Sequence, residues 1–193
     1  MSSDTPMSEK SPSRPTSRPV INTRRTGDAD APKAETIVEG EGPIRKETYD
    51  AGDWYFGQFK GDVREGRGRY VYAEGNVLEF EGDFKNGLGD GLGVFKYKGE
   101  GYYEGEVVAG SREGRGKFVM ANKDVYVGGF QNDMQHGSGV FTSLPSAQRN
   151  SKIVYDGEFF QSKRSGQGVL TMTVDGKSDV YQGQFKNNLI HGE

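Results

Sequence analysis

The stretch Tyr103-Glu104-Gly105-Glu106-Val107, followed by Glu113-Gly114-Arg115-Gly116-Lys117-Phe118, decides the fold. It begins with an aromatic residue that has a glycine two positions later and a Gly-x-Gly pair eleven and thirteen positions later. The same spacing recurs from Tyr55 to the end of the sequence. Because a motif that recurs at intervals of roughly 20–50 residues is typical of repeat proteins, the chain is predicted to be a tandem array of one supersecondary unit.

Each unit is predicted to be a β-hairpin. The units begin at Tyr55, Phe80, Tyr103, Tyr126, Tyr155 and Tyr181, and the last one is incomplete. Each unit opens with an apolar-glycine-apolar alternation of period two, which is typical of a strand. A connection of constant length with turn residues such as Asn86-Gly87 follows, and then a second strand. The predicted fold is all-β, an elongated antiparallel sheet of stacked β-hairpins.

Glycines and aromatic residues are predicted to share one face of this sheet. A ring that faces a glycine on the adjacent strand covers bare backbone, so both surfaces leave water without a second layer. The predicted packing residues are Tyr55, Gly57, Phe59, Phe80, Gly82, Phe84, Tyr103, Gly105, Tyr126, Gly128, Phe130, Tyr155, Gly157 and Phe159. Val107 stands where other units carry Phe, and this departure predicts a weak point where a partner's side chain enters.

The opposite face is predicted to carry a ladder of opposite charges. Glu104 and Glu106 are expected beside Arg115 and Lys117. Arg67 and Arg69 are expected beside Glu81 and Asp83, and each such cross-strand pair stabilises by up to about 1 kcal/mol. The competing interpretation is an anion-binding or lipid-binding stripe, whose candidate residues are Arg64, Arg67, Arg69, Arg115 and Lys117.

Residues before the first complete unit divide into two parts. Residues 1–36 are predicted to be a disordered arm, basic and then acidic, because Ser, Thr, Pro and Arg dominate it and apolar periodicity is missing. Residues 37–54 form a degenerate half repeat or cap, since Gly40-Glu41-Gly42-Pro43-Ile44 precedes Tyr55 at the spacing by which Gly166-Gln167-Gly168-Val169-Leu170 precedes Tyr181. Trp54 is expected to cap the first hairpin, and residues 55–193 form the array.

Composition argues against most chemical functions. A net charge of −3 gives no basic field, so nucleic acid is not an expected partner. No cysteine is present, and His136 and His191 share one repeat position about 19 Å apart, which is too far for a common metal ion. The glycine pairs lack the Gly-Lys-Ser/Thr and βαβ context of a phosphate loop. The sequence therefore predicts no catalytic, metal-binding or cofactor-binding residue, and a soluble, cytoplasmic protein.

The pattern Tyr-x-Gly-x-Phe, then Gly-x-Gly-x-Phe, resembles the MORN (membrane occupation and recognition nexus) repeat. Residues 103–125 are the best example, and the resemblance covers residues 55–193, with Val107, Leu170 and an insertion around residues 143–150 as departures. It implies an elongated sheet of β-hairpins. Proteins of this family include radial spoke head components of cilia and flagella, cytoskeletal scaffolds, junctional membrane tethers, and enzymes that carry the array beside a catalytic domain.

Three functions are compatible with this resemblance. The favoured one is a non-enzymatic scaffold or assembly subunit that docks partner proteins along the sheet, in a ciliary axoneme of radial-spoke type or another cytoskeletal complex. It also allows a homodimer or pairing through a sheet edge. The second is a membrane tether that binds anionic phospholipids through the five basic residues of the stripe. The third is a regulatory module of a larger enzyme.

Overall fold

The computed structural model describes residues 42–146 and 150–192, which form one antiparallel sheet of 13 strands in chain order. The strands are β1 Ile44–Thr48, β2 Trp54–Lys60, β3 Val63–Val71, β4 Val77–Lys85, β5 Leu88–Tyr97, β6 Tyr102–Val108, β7 Ser111–Val119, β8 Val125–Gln131, β9 Met134–Ser143, β10 Lys152–Phe160, β11 Lys163–Val174, β12 Lys177–Lys186 and β13 Leu189–His191. The predicted all-β fold of stacked hairpins is confirmed. The predicted disordered arm, residues 1–36, lies outside the described residues.

The constant connections are tight two-residue turns. Five of them have positive φ at both residues, as at Asn86 (51°) and Gly87 (82°) or at Asn132 (48°) and Asp133 (66°). This geometry is the type I′ turn, whose twist matches that of the flanking strands. The connections of variable length lie at the opposite ends of the strands.

Two parallel rows of residues run across the sheet, perpendicular to the strands. In the glycine row, each member pairs with the next: Gly57, Gly68, Gly82, Gly93, Gly105, Gly116, Gly128, Gly139, Gly157, Gly168 and Gly183. Two positions away on each strand from β2 to β12 runs the aromatic row: Tyr55, Tyr70, Phe80, Phe95, Tyr103, Phe118, Tyr126, Phe141, Tyr155, Leu170 and Tyr181. The core therefore lies on one face of a single layer.

The first glycine of each Gly-x-Gly pair has a different structural role from the second. Gly66, Gly91, Gly114, Gly137 and Gly166 all have positive φ. They lie where the register shifts within a hairpin; in the first one Gly57 pairs with Gly68, but Phe59 pairs with Arg64. Three residues of β3 thus face one residue of β2, and a left-handed residue in such a bulge favours glycine. The first glycine of each pair is therefore not a socket for a ring, unlike the members of the glycine row.

The half repeat before Tyr55 contributes one strand, β1, in an unexpected register. The sequence spacing places Ile44 opposite Tyr55, whereas Glu47 lies there and Ile44 pairs with Gln58. Ile44 is 55% exposed, and Tyr49 supplies the buried ring, stacked on Tyr70 at 5.8 Å. The strand has slipped by three residues because Tyr49 buries more apolar surface than Ile44 would.

Candidate functional site

The two faces of the sheet have different chemistry. The aromatic face carries the glycine row, the aromatic row and a further side chain from the end of the first strand of each hairpin, which is phenylalanine except for Val107. The charged face carries the alternating side chains, including Arg67, Arg69, Arg115 and Lys117, which are all exposed. Both faces are candidate binding surfaces.

Rings of the aromatic face lie on the glycine row. A Cβ placed on Gly116 would stand 2.3 Å from Tyr103 Cε2, and one on Gly93 would stand 2.3 Å from Phe80 Cε2. The rings also meet edge to face between units, as Tyr103 does with Phe130 at 4.9 Å and Tyr126 with Phe159 at 4.9 Å. These contacts bury the predicted packing rings, with Tyr55, Tyr103, Tyr126 and Tyr155 at 0% exposure.

Tyrosine hydroxyls donate hydrogen bonds to backbone carbonyl groups at the bulges. Tyr103 Oη donates to the Glu106 carbonyl at 2.7 Å, and Tyr126 Oη donates to the Gly129 carbonyl at 2.9 Å. Burial of the hydroxyl raises the pKa of Tyr55 to about 12, although the nearby Arg64 guanidinium acts in the opposite direction. A tyrosine is therefore favoured over phenylalanine at this position, and only Phe80 departs from it.

Acidic side chains stabilise the bulges from the charged face. Glu106 Oε1 accepts from the Arg115 backbone N–H at 2.8 Å, and Glu158 Oε1 accepts from the Gln167 N–H at 3.0 Å. Glu106 was predicted to pair with the Arg115 side chain, but it binds that residue's backbone instead. In the fourth unit Gly129 occupies this position and offers no acceptor.

Arginine side chains also lie on the aromatic face, at the position nine residues after the first aromatic of a unit. Arg64, Arg112 and Arg164 occupy it in the first, third and fifth units. The Arg64 guanidinium lies 4.8 Å from the Tyr70 ring centre, and that of Arg112 lies 5.1 Å from Phe118. Sequence reasoning missed this role, although the recurrence of arginine at one position of alternate units is visible in the sequence.

Arg64 is consequently separated from the other candidate anion-binding residues. Arg67 Nη1 lies 3.3 Å from Asp83 Oδ1 on the charged face, as predicted. Arg69 lies opposite Glu81 in the register, as predicted, but its ion pair is with Glu79, and Lys96 Nζ lies 2.6 Å from the other Glu79 oxygen. The grouping of all five basic residues into one stripe is wrong, because Arg64 faces the opposite side.

A cavity of about 210 Å³ opens on the aromatic face at the second unit. Gly89 occupies the position at which the neighbouring first and third units carry arginine, and the rings of Phe80 and Phe95 form part of the wall. The sequence predicted that a partner's side chain enters at Val107, but that residue is only 1% exposed. The opening is therefore at Gly89.

Trp54 and His136, two further residues considered in the sequence analysis, both lie near other side chains. Trp54, which was expected to cap the first hairpin, lies on the charged face, with Lys46 Nζ 4.7 Å and Arg69 Cζ 5.7 Å from its ring centre. The His136 ring lies 5.5 Å from Phe160. Within residues 42–146 and 150–192, no cluster of three or more His, Cys, Asp or Glu side chains has metal-binding geometry. In the same residues no helix is long and apolar enough to span a membrane.

Fold and surface together define a single-layer β-hairpin repeat protein built on ring-over-glycine packing. A family model of the MORN repeat matches residues 55–77, 80–101, 103–125, 126–143, 155–173 and 181–193. The chain belongs to the MORN repeat family, and the resemblance is confirmed. Its array is a repeat module of a kind that binds proteins or membranes.

Alsin proteins are among the relatives of this chain. The rat protein (Rattus norvegicus) is 31% identical over 154 residues, and the mouse (Mus musculus) and human (Homo sapiens) proteins are 30% identical over 154 residues. These alignments cover 77% of this chain and 9% of each Alsin. The chain therefore spans a small part of the length of these relatives.

Proposed function

We propose that this protein is a non-enzymatic scaffold that docks partner proteins along its sheet. The observation that carries the proposal is the one-layer construction. Rings packed on glycines stabilise the array by themselves, so within the described residues the sheet needs no covering layer. The charged face is left for binding.

The charged face has the mixed composition of a docking surface. Phe56, Leu92, Val127 and Val180 are 49%, 60%, 51% and 64% exposed, and charged side chains lie between them. Apolar anchors set among polar groups are the usual composition of a protein interface. We also propose that a second copy of the chain, or a strand of a partner, pairs with β13. Leu189 and Ile190 of this strand are 71% and 55% exposed.

Face-specific capture tests the scaffold. The full-length protein and a Leu92→Glu/Val127→Glu variant are used as baits in the same cells, with Lys163→Glu as a control that adds negative charge near a turn. Partners that are retained by the wild type and the control but lost from the double variant support docking on the charged face. Identical partners for all three baits contradict it. Cytoskeletal and axonemal partners, with cytoskeletal localisation of the tagged protein, support the cellular setting that we propose.

A membrane tether is the second candidate, because Arg67, Arg69, Arg115 and Lys117 share the charged face. It is less favoured because Arg67 and Arg69 already pair with Asp83 and Glu79. Flotation with liposomes that contain phosphoinositide distinguishes the two. Binding that is lost in Arg67→Glu/Arg69→Glu and requires phosphoinositide supports the tether, and no flotation supports the scaffold.

A regulatory module of a larger enzyme is the third candidate. It rests on the partial coverage of Alsin, of which this chain matches 9%. Transcript and protein mapping of the natural product tests it. A mature protein much longer than these residues supports the module, and a mature protein of this length contradicts it.

A further inference from the structure

The second unit departs from its neighbours at two positions that lie close together. Phe80 lacks the hydroxyl of the other first-position rings, and Gly89 lacks the arginine or glutamine found in the other complete units. In the first and third units, a guanidinium lies over the rings at the corresponding place. In the second unit, the cavity lies at this position.

The size and walls of the cavity favour a large apolar side chain. Its volume is about 210 Å³, and a buried apolar cavity of roughly 150 Å³ holds a benzene ring. Tyr70, Tyr72, Phe80 and Phe95 line it, together with Gly89 and Gly110. Rings favour an aromatic or aliphatic occupant, and the glycines let that occupant approach the backbone.

The positive charge of Arg64 at the cavity favours an anionic group next to the apolar side chain of the occupant. Arg64 lines the cavity, and in the part of the chain that the structure describes no carboxylate lies within ion-pair distance of its guanidinium. In the third unit, by contrast, Arg112 pairs with Asp133 of the adjacent turn. The turn adjacent to Arg64 has Gly87 at the matching position, and this glycine supplies no charge. A cationic occupant would be repelled by Arg64, whereas a carboxylate would pair with it.

We propose that this cavity is the specificity pocket for a partner peptide that inserts one large apolar side chain and pairs an adjacent carboxylate with Arg64. The inference deepens the proposed scaffold function and rests on it. It places a peptide anchor on the aromatic face, whereas the charged face provides the broader docking surface. The array thus discriminates among partners at one unit, through a departure from its own repeat.

A matched pair of small probes tests the pocket without a known partner. Phenylpropionate and phenylpropylamine share a ring and differ in the sign of their terminal charge. Each is titrated into the full-length protein, and the backbone amide signals of Gly89 and Gly110 are followed by NMR. Phenylpropionate is expected to shift both signals and to bind at least about fivefold more tightly than the amine. Equal binding, or shifts elsewhere on the sheet only, overturns the proposal, and this comparison needs no variant.

Variants then test the role of Arg64. Arg64→Gln is expected to weaken phenylpropionate binding about tenfold, because a charge-assisted hydrogen bond is lost. Lys60→Gln, which removes one exposed positive charge from the neighbouring strand, is the control and should leave the affinity unchanged. Unchanged affinity in Arg64→Gln overturns the pocket.

The same variants separate this inference from the scaffold function. If partner capture depends on the charged face but phenylpropionate does not bind, only the pocket is overturned. If phenylpropionate binds as expected but no bait retains a partner, the scaffold function is overturned and the pocket is retained as a small-molecule or peptide site. Loss of one captured partner from Arg64→Gln, with the others retained, supports both.

Discussion

Tyr103 and Gly116 are in direct contact across two neighbouring strands, with no space between the ring and the backbone. A Cβ on Gly116 would stand 2.3 Å from Tyr103 Cε2 and 2.5 Å from its hydroxyl oxygen. Under the same ring, a Cβ at Gly105 would stand 2.5 Å from Gly116 Cα and 2.6 Å from the Arg115 carbonyl oxygen. The glycine row is thus required by backbone and ring alike.

Gly105→Val is expected to lower the free energy of unfolding by about 3 kcal/mol, the upper end of overpacking costs, and to broaden thermal melting. The side chain would meet backbone atoms of the adjacent strand, so it cannot be accommodated by a rotamer change. The measurement is chemical denaturation followed by circular dichroism. Gly61→Asn is the control, because Gly61 has φ of 61° and open space around it, and Asn86 occupies the same turn position in the next unit. An unchanged melting temperature for Gly105→Val would contradict ring-over-glycine packing.

Glu106 provides a test of the bulge. Glu106→Ala removes the acceptor for the Arg115 N–H at 2.8 Å and is expected to cost about 0.5–1.5 kcal/mol. Glu106→Gln keeps an acceptor, and Gln58 makes the same bond to the Arg67 N–H at 2.5 Å in the first unit. Glu106→Gln should therefore retain most of the stability, as measured by the denaturation midpoint. Equal losses in the two variants would show that the carboxylate acts through charge instead.

The repeat period predicted the fold because it encodes two properties of each strand. An aromatic residue and a glycine two positions apart share a face, and units of equal internal length bring these pairs into one register. Leu170 takes its place opposite Tyr155 for this reason, although it is not aromatic. Local alternation alone is sufficient for such predictions.

The alternation of side chains along β3 also predicts the face of the sheet on which Arg64 lies. That residue stands six positions before Tyr70 on β3, an even number, so strict alternation places both side chains on the aromatic face. Arg67 stands an odd number of positions from Tyr70 and belongs to the charged face. Grouping Arg64 with Arg67 by charge alone overlooked this parity, and the correct placement was available from the sequence.

The bulges and the cavity were not predictable by the same reasoning. Alternation gives no sign that three residues of β3 face one residue of β2. The register of β1 likewise depends on Tyr49 reaching Tyr70 on β3, a contact between strands that sequence spacing does not specify. The cavity arises from a missing side chain at Gly89, and its size is set by rings that come together from different strands.

Arg112 is expected to be the most important charged residue for stability. It is 4% exposed, its Nε lies 3.3 Å from Asp133 Oδ1, and its Nη2 donates to the Asp133 carbonyl at 2.6 Å. Arg112→Ala leaves the Asp133 carboxylate without this partner and is expected to cost about 3–5 kcal/mol. Asp133→Asn should cost less, because Asn188 accepts from the Arg164 N–H at 2.8 Å in the same way.

Thermal melting and chemical denaturation of the two variants check this order. Arg115→Ala on the charged face is the control, since its side chain is exposed and a change there should stay within about 0.5 kcal/mol. Equal destabilisation by Arg112→Ala and Arg115→Ala would show that guanidinium burial on the aromatic face contributes no stability.

Alkaline pH is expected to unfold the array, because buried tyrosines resist ionisation. Burial raises the pKa of Tyr49 and of Tyr55 from 10.0 to about 12 in the folded protein. Between these values the unfolded chain loses the phenolic proton while the folded chain keeps it, so stability falls as pH rises. Stability contributed by this linkage is fully present below about pH 10, decreases toward about pH 12 and then levels off.

Denaturation midpoints measured across that range should show the decline. Tyr55→Phe removes one of the titrations, and Phe80 shows that the position accepts phenylalanine, so the variant should have a shallower pH slope; an identical slope would mean that Tyr55 ionises equally in both states.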